Sequence, residues 1–146
     1  MLIGIIGENC VGKSTLAEKL AAAIGAETVT GKDYLRMAKS ESLAKALFRQ
    51  KLQEAVSGEH LIYVISEPDH LALLPEGAVK ILVTADLDTI KARFRARMRG
   101  NLPAPVEQML ERKHGMFDSG TCDYRFDGTA GDPETLCEAL RQRAQA

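Results

Sequence analysis

The stretch Leu2–Thr15, LIGIIGENCVGKST, constrains the chain more than any other part of it. A branched, almost wholly apolar run reads as a parallel strand buried on both faces. At Gly7 it enters a segment that matches Gly-x-x-x-x-Gly-Lys-[Ser/Thr], the pattern of a phosphate-cradling (Walker A) loop. From Lys13 onward Leu16, Leu20 and Ala23/Ile24 recur at helical spacing, and Gly25 supplies a stop. Strand, loop and helix therefore stand in the order such a loop requires. A triphosphate carries several negative charges and needs donors approaching from several directions. Backbone N–H groups in a tight glycine-bounded loop provide them, reinforced by the positive end of the following helix. The cradle comprises Gly7, Glu8, Asn9, Cys10, Val11, Gly12, Lys13, Ser14 and Thr15. In this pattern Lys13 reaches the β and γ phosphates of ATP and the Ser14 hydroxyl ligates Mg²⁺. Cys10 fills a free position with a small side chain, near fixed dipoles that favour a thiolate.

The remainder of the chain alternates strands with helices. AETVT (26–30) is a second short strand, and Leu35, Leu43, Leu47, Phe48, Leu52 and Val56 mark helices over about 33–57. HLIYVIS (60–66) and AVKILVTA (78–85) are buried strands separated by a LLPEG turn. A basic helix follows over 88–99, another over 105–116, and a last short strand over 123–128. Asp132-Pro133 opens a C-terminal helix by the cap-then-proline rule. Such alternation predicts an α/β fold, a parallel five-stranded sheet flanked by helices. With 146 residues and no linker or repeat, 1–146 is expected to be one domain. Lys and Arg total 19 against 20 Asp and Glu, so no general attraction to nucleic acid or membrane is expected. Cys10, Cys122 and Cys137 lack metal or disulfide spacing, and the start of the chain lacks a leader pattern, which together fit a cytoplasmic protein.

The chain resembles the P-loop nucleoside monophosphate kinases, and the match runs patchily over most of it. VTGKDYLR (29–36) is similar to the Thr-Gly-Asp-Met-Leu-Arg segment of adenylate kinases, with one residue inserted. LLPEGAVKILVTADLDTIKARFRARM (73–98) is similar to a cytidylate kinase stretch in which a Lys-containing strand leads to an Arg-rich lid helix. YRFDGTAGDPETL (124–136) resembles the end of adenylate kinases, where a turn frames the adenine through its backbone. The resemblance implies a three-layer P-loop NTPase fold with a short acceptor-binding insert (about 33–57) and a short lid (about 93–112). It implies an ATP- and Mg²⁺-dependent kinase acting on a small acceptor, first of all a nucleoside monophosphate. Thr30, Gly31 and Arg36 would line the monophosphate site, with Asp33 beside it as a hydroxyl ligand or base; Asp33 can equally cap the next helix. SEPDHL (66–71) replaces the family's Asp-Gly-Phe-Pro-Arg, which removes the usual acceptor-adenine contacts.

Phosphoryl transfer requires alignment and positive charge around the moving group more than covalent help. Arg93 and Arg97 lie four apart and share one helix face. The resemblance makes them the phosphate-facing pair and Arg112 the second lid arginine, although Glu107 and Glu111 also offer Arg112 ordinary surface partners. Glu67 and Asp69 follow the third strand at the C-terminal edge of the sheet, where ligands of open parallel sheets bind. They are the candidate carboxylates for Mg²⁺, alongside Ser14. Two alternatives stay open: a kinase of a non-nucleotide metabolite, shikimate kinase-like, and an ATP-binding regulatory protein without small-molecule kinase activity.

Overall fold

In the computed structural model, which describes residues 1–145, five parallel strands form one sheet in the order β2-β3-β1-β4-β5. The strands are β1 (Leu2–Ile6), β2 (Glu27–Thr30), β3 (Leu61–Ile65), β4 (Val79–Thr84) and β5 (Tyr124–Asp127). Around them lie α1 (Lys13–Ile24), α2 (Glu41–Ser57), α3 (Pro68–Leu71), α4 (Leu87–Arg97), α5 (Ala104–Lys113) and α6 (Pro133–Gln145). β1 and β3 are wholly buried, which is why both read as unbroken apolar runs. From β1 the chain goes to the edge strand β2, returns to β3 beside β1, then crosses to β4 and β5 on the other side. The connections thus diverge at β1, and the loop after β1 opens at that point.

Two cores result, one on each face of the sheet. Ile3, Ile5, Ile62, Ile81 and Val83 pack under Leu16 and Leu20 of α1 and Leu136 and Leu140 of α6. On the other face Leu2, Ile6, Tyr63 and Ile65 meet Ala44, Phe48 and Leu52 of α2. Phe48 stands edge-on to Tyr63, with centroids 4.9 Å apart, and stacks on Tyr34 at 5.3 Å. Gly25 ends α1 with a left-handed φ of 70°, and its N–H donates to the Ala21 carbonyl. Asp132 caps α6 as expected, accepting from the Glu134 N–H and the Thr135 hydroxyl.

Three local readings are corrected. The 33–57 segment divides into a 3₁₀ turn (Asp33–Met37) and α2, because Ser40 caps the second helix by accepting from the Leu43 N–H. Its buried stripe is Ala44, Phe48, Leu52 and Ala55, whereas Leu35, Leu43 and Leu47 stay exposed. Large side chains drew the expected stripe one position aside; the real contact uses alanines for close approach. Between β3 and β4 there is also a one-turn helix, α3, begun by Pro68 at its first position.

Phe48 joins α2, Tyr34 and the sheet, so its truncation should leave a cavity under all three. Phe48→Ala is expected to lower unfolding free energy by about 3–5 kcal/mol, measured by urea titration. A loss under about 1 kcal/mol would show that the stack collapses around the gap without cost.

Candidate active site

The loop after β1 is wedged into place from three sides. Gly7 donates its N–H to the Ile65 carbonyl at 3.1 Å. A Cβ on Gly7 would come to 2.6 Å from the Val83 carbonyl, and one on Gly128 would collide with the Val11 carbonyl. Gly12 takes φ 106° and caps α1 without any side-chain acceptor, and the first turn of α1 contains no acidic residue. The first N–H groups of that helix are thus left for an external anion.

Lys13 lies almost buried within this loop and donates to the carbonyls of Gly7 at 2.7 Å and Glu8 at 2.5 Å. Burial pushes its ammonium down to about 8, and the nearby Arg97 charge acts in the same direction, while Cys10, Glu8 and Glu67 oppose it. A cavity of about 320 Å³ opens beside Lys13, with Asn9, Ser14, Thr30, Gly31, Ser66 and Arg97 in its wall. A second cavity, about 310 Å³, runs from Cys10 and Thr15 past Arg93 to Phe126, Gly128 and Pro133. The two share Cys10, Gly12 and Arg97, and together they give an elongated ligand one continuous path over the loop.

The two lid-helix arginines have different partners. Arg93 donates to the Cys10 carbonyl at 3.1 Å and the Gly128 carbonyl at 2.6 Å, clamping the loop to the turn after β5. Arg97 has no such engagement among the described residues and stands in the wall of both cavities. Arg112 is exposed and has no hydrogen-bond or ion-pair partner among the described residues. The next residue, Lys113, places its ammonium 3.8 Å from Glu67 Oε1. Lys91 braces the two lid helices, paired with Glu107 and Glu111.

Beyond β2, Asp33 Oδ2 accepts from the Thr30 N–H at 2.9 Å and the Thr30 hydroxyl at 3.1 Å. Its carboxylate thus ties the 3₁₀ turn to the end of β2 and does not cap α2. Gly31 is held by the Val64 carbonyl and by the Tyr63 hydroxyl, which donates to its carbonyl at 2.9 Å. Burial raises the Tyr63 hydroxyl far above the usual tyrosine range, so it remains a donor. His70 packs edge-on to Tyr34, faces Gly31, and has a buried Nδ1 without a hydrogen-bond partner among the described residues. Arg36 is exposed at the end of the 3₁₀ turn, outside the cavity wall.

No three His, Cys, Asp or Glu side chains among the described residues form a metal cage. The available donors are the Ser14 hydroxyl and the carboxylates after β3, of which Glu67 faces Lys113 and Asp69 is exposed in α3. Few, hard oxygen donors suit Mg²⁺, which keeps several waters and shares phosphate oxygens. Sequence reasoning did not find the Glu8 side-chain contacts, Lys113, His70 or Tyr63. The only local signal was the basic run before Gly115, a helix end.

No protein-family model matches the chain, and no curated protein matches it at a significant level. Solved structures do match over nearly its whole length. A structure of an uncharacterized protein from Eubacterium ventriosum is 14% identical, with a TM-score of 0.69 over 100% of this chain and 99% of the other. Shikimate kinase from Acinetobacter baumannii, in complex with shikimate, is 16% identical, with a TM-score of 0.64 over 99% and 92%. A gluconokinase from Sinorhizobium meliloti is 15% identical, with a TM-score of 0.62 over 98% and 90%. The chain therefore has the fold of P-loop small-molecule kinases, as expected for the three-layer architecture.

The buried ammonium of Lys13 gives a pH test of the site. An anion on the loop favours the charged form, so binding near and above pH 8 should take up a proton and weaken as pH rises. In the free protein the sign is opposite for folding. Between pH 8 and the ordinary lysine range near ~10.4 the unfolded chain holds more protons at this group, so its contribution to stability rises with pH. Calorimetric titration of ADP at pH 8.5, in buffers of different ionisation enthalpy, should show proton uptake that Lys13→Met abolishes. Equal heats in all buffers would remove Lys13 from the anion site.

Proposed function

We propose that the protein is a small-molecule kinase that transfers the γ-phosphate of ATP to a small acceptor. The carrying observation is the convergence of Lys13, Ser14 and Arg97 on one open cavity that Thr30 and Gly31 also line. The phosphate chain lies along the loop, with its charge met by the uncapped N–H groups of α1 and by Lys13, which leaves the Gly7 and Glu8 carbonyls to reach it. The base side of the nucleotide occupies the cavity toward Phe126 and Pro133, where Arg93 holds the Gly128 turn against the loop. Ser14 and Glu67, with Asp69 as the second carboxylate, hold Mg²⁺, which neutralises phosphate charge when bound. Arg97 stabilises charge on the transferring group, with Arg112 on the lid as a further candidate.

For the acceptor the first reading is a nucleoside monophosphate, with Arg36 as the free cation for its phosphate and Thr30 and Gly31 as its floor. A specific observation favours a second reading, a hydroxylated metabolite. The Asp33 carboxylate is held by Thr30, which lines the cavity, so it can orient an acceptor hydroxyl there. The fold shared with a shikimate kinase and a gluconokinase supports the same reading. Both readings place the acceptor between the 3₁₀ turn and Lys13.

ADP formation from Mg-ATP, alone and with a panel of nucleoside monophosphates, shikimate, gluconate and related polyols, tests the proposal. One panel member should accelerate turnover saturably, and Lys13→Ala should lower that rate roughly a thousandfold. If the acceptor carries a phosphate, Arg36→Ala should raise its KM with kcat little changed. ATP binding without acceleration by any panel member, or turnover that survives Lys13→Ala, would favour the regulatory alternative.

A further inference from the structure

Glu8 is an unexpected residue to find buried in a phosphate loop. A carboxylate there repels the anion that the loop is shaped to bind, so whatever it contributes must come from what it holds. Its side chain turns away from the cavity and is only 10% exposed. Oε1 accepts from Nδ1 of His114 at 3.1 Å, and Oε2 accepts from the Gly115 N–H at 3.0 Å. Gly115 is set for this contact by a left-handed φ of 78°, and a Cβ there would come to 3.1 Å from the Asp118 carboxylate. These two residues immediately follow the end of α5. The same residue's carbonyl is one of the two on which Lys13 rests. Glu8 thus ties the end of the lid to the resting place of the loop lysine.

The residue just before this latch is Lys113, whose ammonium faces Glu67 at 3.8 Å. Glu67 is in turn close enough to Lys13 to favour its charged form. Glu67 directly follows Ser66 of the cavity wall, so Lys113 stands at that edge of the cavity, whereas its neighbour Arg112 is exposed without a partner among the described residues. We propose that Glu8 is a positioning residue that, through His114 and Gly115, fixes the end of α5 on the phosphate loop and so sets Lys113 as the lid cation that meets the terminal phosphate. The inference rests on the kinase reading of the loop given above. On this proposal Lys113 exchanges its Glu67 contact for the phosphate, and Glu8 acts only through it.

The test compares affinity for a non-hydrolysable ATP analogue with that for ADP, by calorimetry with Mg²⁺ present, and so requires neither turnover nor a known acceptor. Lys113→Ala should weaken the triphosphate analogue about tenfold, the size of one charge-assisted hydrogen bond, and leave ADP nearly unchanged. Glu8→Ala should give the same selective loss. The double variant should lose no more than either single one, because both remove the same contact. Since Glu8→Ala could disturb the fold, His114→Asn and His114→Leu form a second pair. Asparagine keeps a donor near the position of Nδ1 and should retain triphosphate selectivity, whereas leucine should lose it.

Equal weakening of ADP and the analogue in Glu8→Ala and His114→Leu, additive losses in the double variant, or a larger selective loss from Arg112→Ala would each overturn the proposal. Nucleotide binding that Lys13→Met abolishes, without any selective effect of Lys113→Ala, overturns this inference and leaves the kinase reading standing. Absence of nucleotide binding by the unmodified protein overturns both.

Discussion

An ammonium taken out of water must find acceptors, and the structure around the phosphate loop follows from how Lys13 finds them. With no anion on the loop it uses the carbonyls of Gly7 and Glu8, which therefore turn inward beneath it. Two inward carbonyls in succession require a fixed backbone. The Gly7–Ile65 hydrogen bond supplies the fixed point, and the missing side chains at Gly7 and Gly128 let β4 and the turn after β5 close against the loop. Arg93 completes the wedge from the lid side. The lysine is poised rather than committed: its carbonyl partners are neutral, and a phosphate oxygen offers a stronger, charge-assisted partner.

The same economy of charge extends beyond the loop. Lys13 and Arg97 both line one cavity, and the negative groups that act on Lys13, Glu8 and Glu67, are not in its wall. Glu8 is spent on the lid end and Glu67 faces Lys113, so the centre of the cavity keeps unmatched positive charge. In a chain of nearly zero net charge such local excess is the kind of field that attracts an anion. Lys91 shows the contrary case: paired with two glutamates between α4 and α5, it serves the lid's internal geometry.

What could be read from sequence tracks the range of the interactions. The strand, loop and helix around Gly7–Thr15, the Gly25 stop and the Asp132 cap are set by contacts within a few residues, and all appear in the pattern. Arg93 at the lid was legible as a basic helix position, but its partners Cys10 and Gly128 lie far along the chain, and nothing local distinguishes a clamp from a phosphate ligand. Glu8 and His114 are separated by more than a hundred residues, and no periodicity links them. The α2 stripe was legible in part: Phe48 and Leu52 are buried as expected. Periodicity weighted by side-chain size also picked Leu43 and Leu47, while the core takes Ala44 and Ala55, whose smallness is the useful property.

These differences in range also divide the molecule by rigidity. The phosphate end is held by the sheet itself, through main-chain bonds and close-packed glycines. The lid is held by side chains, through Lys91, Arg93 and Glu8. The segment after β2 has the lightest support: a 3₁₀ turn resting on the Tyr34–Phe48 stack and tied back by the Asp33–Thr30 pair. Beneath it Gly31 is pinned by Tyr63, and the buried His70 Nδ1 beside Gly31 has no partner among the described residues. Contacts of this kind open more cheaply than a sheet ladder, because they involve few residues and little buried area. The loop after β1 is therefore fixed by the fold itself, while the 3₁₀ turn beside Thr30 and Gly31 is the part that the fold constrains least.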